Sequence, residues 1–290
     1  MPAEDPATGG AAARRRRGRT ASGIGEAGRT LVAVDIDGTL LTWGGKLHRS
    51  AARAITRALA DPRIELVLAT GRSVHSAMTV ARRIGFTAGW AVCSNGSVTA
   101  RLGPDLPGGW EVAHSVAFDP APAVAAIRRV FPGARLAVED VGHGFLVTGR
   151  FPEGELDGVV TVVDDERLAA APVTRVILRE TDLDPALVEE LVAAMDLPDV
   201  AYAVGWTGWV DLNPPGVSKA SALEALRLRL GVDPGRTVAI GDGGNDIAML
   251  RWAARGVAMG GARPDVIAAA DEVTRTIERR GLARVLNNLP

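Results

Sequence analysis

Five short runs of this chain are apolar at most consecutive positions: LVAVDI (31–36), IELVLAT (64–70), WAVCSNG (90–96), TVAIGDG (237–243) and GVAMG (256–260). A strand that is apolar at consecutive positions has to be covered on both faces. The segments between them supply the cover. SAARAITRALA (50–60) repeats Ala51, Ala54, Ile55, Ala58 and Leu59 at helical spacing, with Ser50 placed to cap it. SVHSAMTVARRIG (73–85), VSKASALEALRLRLG (217–231) with Ser218 as its cap, and NDIAMLRWAA (245–254) also read as helices. Buried strands alternating with helices predict an α/β fold built on a doubly wound, Rossmann-like parallel sheet.

The pattern changes from about Ser97 to Val204, where strands alternate polar with apolar: WEVAHSVAF (110–118), ARLAVED (134–140) and VTRVILRE (173–180). Helical stretches PAVAAIRRVF (122–131) and DPALVEELVAAM (184–195) lie among them. That alternation predicts a mostly antiparallel sheet with one solvent face, an inserted α+β module. The expected division is a disordered basic tail over 1–28, a core over 29–96 and 207–290, and an insert over 97–206. No internal repeat is present.

With 47% hydrophobic residues, 23% charged residues and a net charge of -1, the composition speaks against nucleic acid or an anionic membrane as principal partner. No apolar run is long enough to span a membrane. The run RRRRGR (14–19) is followed by no apolar stretch, so it is read as a solvated tail and not an export signal. The single cysteine, Cys93, has no partner for an internal disulfide and is expected as a core residue in a cytoplasmic protein.

One run is anomalous, because LVAVDIDGTLL (31–41) buries a strand yet carries Asp35 and Asp37. A buried carboxylate is costly unless paired. In open parallel sheets functional residues gather at the carboxyl ends of strands. Asp35 and Asp37 fall at one such end, Thr70, Gly71 and Arg72 at another, and Asp242, Asn245 and Asp246 follow a third. Lys219 opens a helix after the insert. Clustered carboxylates demand a cation, and an oxygen-only donor set points to Mg²⁺. A lysine and a threonine beside it suit phosphate oxygens, so the set reads as a phosphoryl-transfer site. A calcium loop at DIDG fails for want of the remaining oxygen ligands and a glutamate.

DIDGT, TGR, GVSK and GDGGND occur in the order and rough spacing of the four motifs of the haloacid dehalogenase-like phosphatases, which this chain resembles from about Leu31 to Leu286. SNG, NPPGVSK and GVAMGGARPDVIAAADEVT are similar to the Cof-type branch with a type IIB cap. The resemblance implies that Asp35 is the nucleophile that carries a transient aspartyl-phosphate, and that Asp37 is the general acid and base. Thr70 would bond the transferring phosphoryl group, and Lys219 would offset charge. Mg²⁺ would be held by Asp35, the Asp37 backbone carbonyl and Asp242, with Asp246 a ligand through water or an orienter of Lys219. Gly38, Thr39, Gly71, Arg72 and Asn245 would approach the substrate, although Arg72 reads equally as the partner of a surface carboxylate.

The sequence departs from the family pattern after the late VT, where VTRTIERRGLARVL (273–286) replaces Asn-containing and acidic residues. The implied function is Mg²⁺-dependent hydrolysis of a small phosphorylated metabolite, a sugar phosphate or phosphorylated cofactor, in the cytoplasm. A phosphomutase on the same core and a non-catalytic phospholigand-binding protein are the alternatives. Neither membrane nor nucleic acid is an expected partner. His48, His75, His114 and His143 lack ligand spacing, with His75 and His143 the two nearest the expected site. Trp206 and Trp209 read as packing residues, and Asn95-Gly96 as a turn and hinge.

Overall fold

The computed structural model describes residues 28–195, 201–204 and 208–289. The basic run of the expected tail and Trp206 lie outside those residues. The chain begins with β1 (Thr30–Val34), α1 (Arg49–Ala60), β2 (Ile64–Ala69), α2 (Val74–Arg83) and β3 (Gly89–Cys93), then doubles back through β4 (Val98–Leu102) and β5 (Trp110–Ser115). There follow α3 (Ala121–Val130), β6 (Arg135–Asp140), β7 (Gly144–Val147), β8 (Val159–Val162), α4 (Asp165–Leu168), β9 (Val176–Arg179), α5 (Pro185–Ala194), β10 (Ala201–Val204) and β11 (Trp209–Asn213). The last stretch holds α6 (Lys219–Arg229), β12 (Thr237–Gly241), α7 (Ile247–Trp252), β13 (Arg255–Ala258), α8 (Pro264–Ala268), β14 (Glu272–Val273) and α9 (Gly281–Leu286).

The larger sheet has the order β14-β13-β12-β1-β2-β3-β4-β5, parallel from β14 to β3. Its central strand shows why an uninterrupted apolar run was needed. Val32 and Val34 join the cluster under α1, α2 and α9, with Ile55, Met78 and Leu282. Leu31 and Ala33 face the other way, into the cluster with Leu223, Leu226, Met249 and Leu250 beneath α6 and α7. Full burial of each such aliphatic side chain contributes about 1.5–3 kcal/mol. The α/β doubly wound expectation therefore holds.

Local signals were partly right. Ser218 caps α6 by accepting from the Ser221 amide, completed by a reciprocal bond from the Ser218 amide to the Ser221 hydroxyl. Ser50 does not cap α1, because the helix already includes Arg49 and the cap position is His48, which makes no side-chain cap bond.

The second sheet has the order β10-β11-β9-β6-β7-β8 and is antiparallel except for the β7–β8 pair. One face packs on α3, α4 and α5 through Val124, Ile127, Leu168, Val188 and Leu178. The opposite face, expected to meet solvent, instead carries buried Ala137, Phe145 and Ile177 together with buried Glu139, Arg175 and Asp211. Those polar groups turn toward the carboxyl ends of the larger sheet.

The sheets divide the chain differently from the expected boundaries at 97 and 206. β4 and β5 extend the larger sheet as an antiparallel hairpin, with Cys93 opposite Val98 and Leu102 opposite Trp110. β11 belongs to the second sheet, between β9 and β10. The cause of the first difference is the 94–96 turn, which is so tight that β4 folds straight back onto β3 and prolongs its ladder.

Candidate active site

Four loops at the carboxyl ends of β1, β2, β3 and β12 converge with the start of α6. Asp35 leaves β1 only 5% exposed, and Lys219 is fully buried in the first turn of α6. The Lys219 ammonium donates to Asp35 Oδ1 and to Asp246 Oδ1, both at 2.7 Å. Burial alone would lower the lysine, but Asp246 and then Asp35 hold it above its ordinary value. Asp35 itself is raised well above the carboxylate range, first by burial and then by Asp246, against the pull of Lys219. Asp242 is pushed up to about 6, chiefly by burial. Protons are therefore favoured where a cation would otherwise stand.

Asp35, Asp242 and Asp246 each offer a carboxylate oxygen, all within 4.8 Å of one another. Their partners separate their roles. The Thr39 hydroxyl donates to Asp242 Oδ1 at 2.8 Å, leaving the other oxygen uncommitted. Asp246 is the most engaged of the three, since its Oδ2 accepts from the Asp242 and Gly243 amides at 2.9 Å while its Oδ1 accepts from Lys219. That pattern fits an orienter of the lysine better than a metal ligand. Gly38 has φ +84°, and a Cβ there would fall 2.0 Å from Asp242 Oδ2, so only glycine lets the two loops meet.

Asp37 is turned away from this cluster. Arg72 takes both of its oxygens, Nε to Oδ2 at 2.8 Å and Nη2 to Oδ1 at 2.6 Å, and also reaches Ser76. Arg72 is thus paired with a carboxylate of the site itself and not one on the surface. Thr70 is fully buried, and its hydroxyl oxygen accepts from the Arg72 amide at 3.1 Å. Gly71 faces Asn95 and Asn245, and a Cβ there would stand 3.0 Å from Asn95 Oδ1. Asn245 Nδ2 donates to Asn95 Oδ1 at 2.9 Å. Asn95 is held with φ 54° in a turn where Ser94 (φ 49°) and Gly96 (φ +109°) are also left-handed.

Several participants were passed over in the sequence. Arg175, in the second sheet and 3% exposed, donates to the Gly71 carbonyl at 2.7 Å and approaches Glu139 and Asp211 at 3.1 and 3.3 Å. Glu139 accepts from the Ser94 hydroxyl and the Val74 amide. Asp211 accepts from Asn95 Nδ2 at 3.3 Å, and Asp157 accepts from the Ser73 hydroxyl at 2.9 Å. A charged residue opening an apolar run, as in VTRVILRE, was the available signal. His143 stands 77% exposed on the β6–β7 turn, 3.6 Å from Asp140, apart from this set.

A family model described as haloacid dehalogenase-like hydrolase matches residues 32–109 and 153–286, most of the chain. The chain belongs to the haloacid dehalogenase-like hydrolases. Phosphatase YwpJ of Bacillus subtilis is 25% identical over 284 residues, covering 89% of this chain and 99% of that protein. A phosphoglycolate phosphatase of Methanoculleus marisnigri is 28% identical over 249 residues, 85% of this chain and 90% of its own length. Among solved structures, the subclass IIB sugar phosphatase BT4131 shares the fold with a TM-score of 0.72 at 24% identity, over 89% of this chain and 98% of that one. This haloacid dehalogenase-like protein is of the Cof type and is a phosphoric monoester hydrolase. Among the described residues no helix is long and apolar enough to cross a membrane.

Proposed function

We propose that the chain is a Mg²⁺-dependent phosphatase of small phosphate monoesters, acting through an aspartyl-phosphate on Asp35, with the second sheet and its helices as the cap over the site. The observation that carries this reading is the buried cluster of Asp35, Asp242 and Asp246 around Lys219, three carboxylates against one cation. The donor set fits Mg²⁺: oxygen only, two carboxylates whose burial favours protonation, and a glycine that keeps the cleft open at Asp242. Asp35, Asp242 and the Asp37 carbonyl would hold the ion. When bound, it neutralises charge on the phosphate and on the attacking carboxylate.

The residues of the chain supply the rest. Lys219 fixes Asp35 Oδ1, which presents Oδ2 to phosphorus. That oxygen forms the new P–O bond while the ester P–O bond breaks, and Asp37 gives the departing alkoxide its proton. Asp37 then takes a proton from water as it attacks the phosphoenzyme, releasing phosphate and restoring Asp35. Both Asp37 oxygens are committed to Arg72, so this pair has to open before either step. Thr70, Asn245 and the Gly71 amide would donate to phosphate oxygens, and Gly38 would let the backbone come close to them. The relatives named as acting on phosphoglycolate and on sugar phosphates support a small phosphorylated metabolite as substrate.

The decisive assay is phosphate release from a panel of monoesters, with Mg²⁺ or with chelator, for wild type and Asp35→Asn. Activity that requires both metal and Asp35 is expected, with a loss of at least about 10³-fold in the variant. Equal activity in Asp35→Asn would end the covalent mechanism.

A further inference from the structure

Two strands along the sheet from β12, a groove of about 770 Å³ follows the turn after β14 and is lined by Arg275, Arg279 and Arg280. It adjoins a second groove of about 500 Å³, where the same three arginines meet Arg53 and Arg57 of α1 and Arg284 of α9. All six are exposed. Among the described residues none of them forms an ion pair, and the single side-chain bond is from Arg57 to the neutral Asn287 at 2.6 Å. Glu278, the acid of the turn, is engaged by its own amide and by Thr276. In a chain of net charge -1, six cations against the one acid of the turn are a local concentration and not a reflection of composition.

The groove is also built rigidly. The Thr274 amide donates to Ala258 and its hydroxyl to Gly281, while the Arg279 and Gly281 amides both return to Thr276. A Cβ at Gly281 would lie 1.9 Å from the Arg275 carbonyl, and one at Gly260 would lie 2.7 Å from that of Thr274. Arg280 is left-handed at φ 64°, a conformation unfavourable for a residue with a side chain. Strain and mutual repulsion are thus held in place by packing, and neither is relieved by a partner within the described protein.

We propose that this groove is a second anion site, separate from the phosphatase centre, for a small molecule carrying several phosphate groups. Guanidinium forks bind phosphate oxygens in pairs, and several forks on a fixed turn favour a ligand with more than one phosphate. The two cavities fall in the range of about 300–1,000 Å³ common to small-ligand sites. A nucleic acid is disfavoured because the near-neutral molecule lacks the long-range field that holds one.

The test is calorimetric titration of the full chain with inorganic tripolyphosphate at low salt in metal-free buffer, run in parallel on Asp35→Asn. One-site binding is expected. It should weaken at least tenfold in Arg275→Gln/Arg279→Gln, persist in Asp35→Asn, and leave monoester hydrolysis by the double variant at the wild-type rate. If the double variant misfolds, Arg53→Gln/Arg57→Gln on α1 probes the same groove. No binding, equal binding by these variants, loss of binding in Asp35→Asn, or tighter binding of a single-stranded oligonucleotide would each overturn the proposal.

Discussion

At the scale of single residues, the site is an exercise in placing charge where water cannot reach. Lys219 is shared by Asp35 and Asp246 while fully buried, so its removal strands two carboxylates. Lys219→Met is expected to cost about 3–5 kcal/mol in metal-free protein, measured by urea unfolding. A loss below about 1 kcal/mol would mean that the carboxylates simply take up protons instead. A milder case is Glu224, held down at about 2 by Arg227 and then by the Trp252 indole. Because its folded value is depressed, its contribution is complete above the unfolded value of about 4.3 and disappears as pH falls through about 2. With the side chain 40% exposed, Glu224→Gln should cost less than about 1 kcal/mol at pH 7. The gap between wild type and variant in urea midpoint should close across pH 4.3 to 2. A gap that stays constant would exclude the ion pair as its source.

Among elements, the 94–96 turn governs most. It joins β3 to β4, supplies Asn95 to Asn245, and presses Gly96 against α6, since a Cβ there would lie 2.2 Å from the Ser218 carbonyl. Gly96→Ala is strained at φ +109° and displaces the first turn of α6, where Lys219 stands. It should lower stability by about 2 kcal/mol or more and reduce kcat more than it raises KM. Unchanged kinetics would show that Lys219 is positioned independently of the turn. This element also marks where sequence reading stops. Asp35, Asp242 and the Thr70–Arg72 turn stood out because they break or end apolar runs, and Lys219 because it opens a helix behind Ser218. The alternation in WEVAHSVAF revealed an antiparallel strand but not which sheet it extends, because pairing is a property of two strands. In VTRVILRE and ARLAVED the polar positions were taken for a wet face, whereas Arg175 and Glu139 face the other sheet.

On the scale of the whole molecule, those same polar groups join the two sheets. Arg175 reaches Gly71, Glu139 reaches Ser94 and Val74, Asp157 reaches Ser73, and Asn213 reaches Ser94 and Ser97. The buried members of the apolar clusters, by contrast, belong to one sheet or the other, and Val141 of the β6–β7 turn is the partly buried side chain that packs across. Cooperativity between the sheets therefore rests chiefly on polar contacts, with Arg175 at their centre. Wild type should unfold in a single calorimetric transition, and Arg175→Met should split it in two by releasing the second sheet first. A single transition in the variant would mean that the remaining contacts suffice. Cys93 ends β3 directly beneath this junction, fully buried and with its thiol raised by burial. Alkylating reagents therefore have no thiolate to attack while the fold is closed. The rate at which the chain gains one adduct becomes a clock for the opening of its central sheet, read in a mass spectrometer without labelling or mutation.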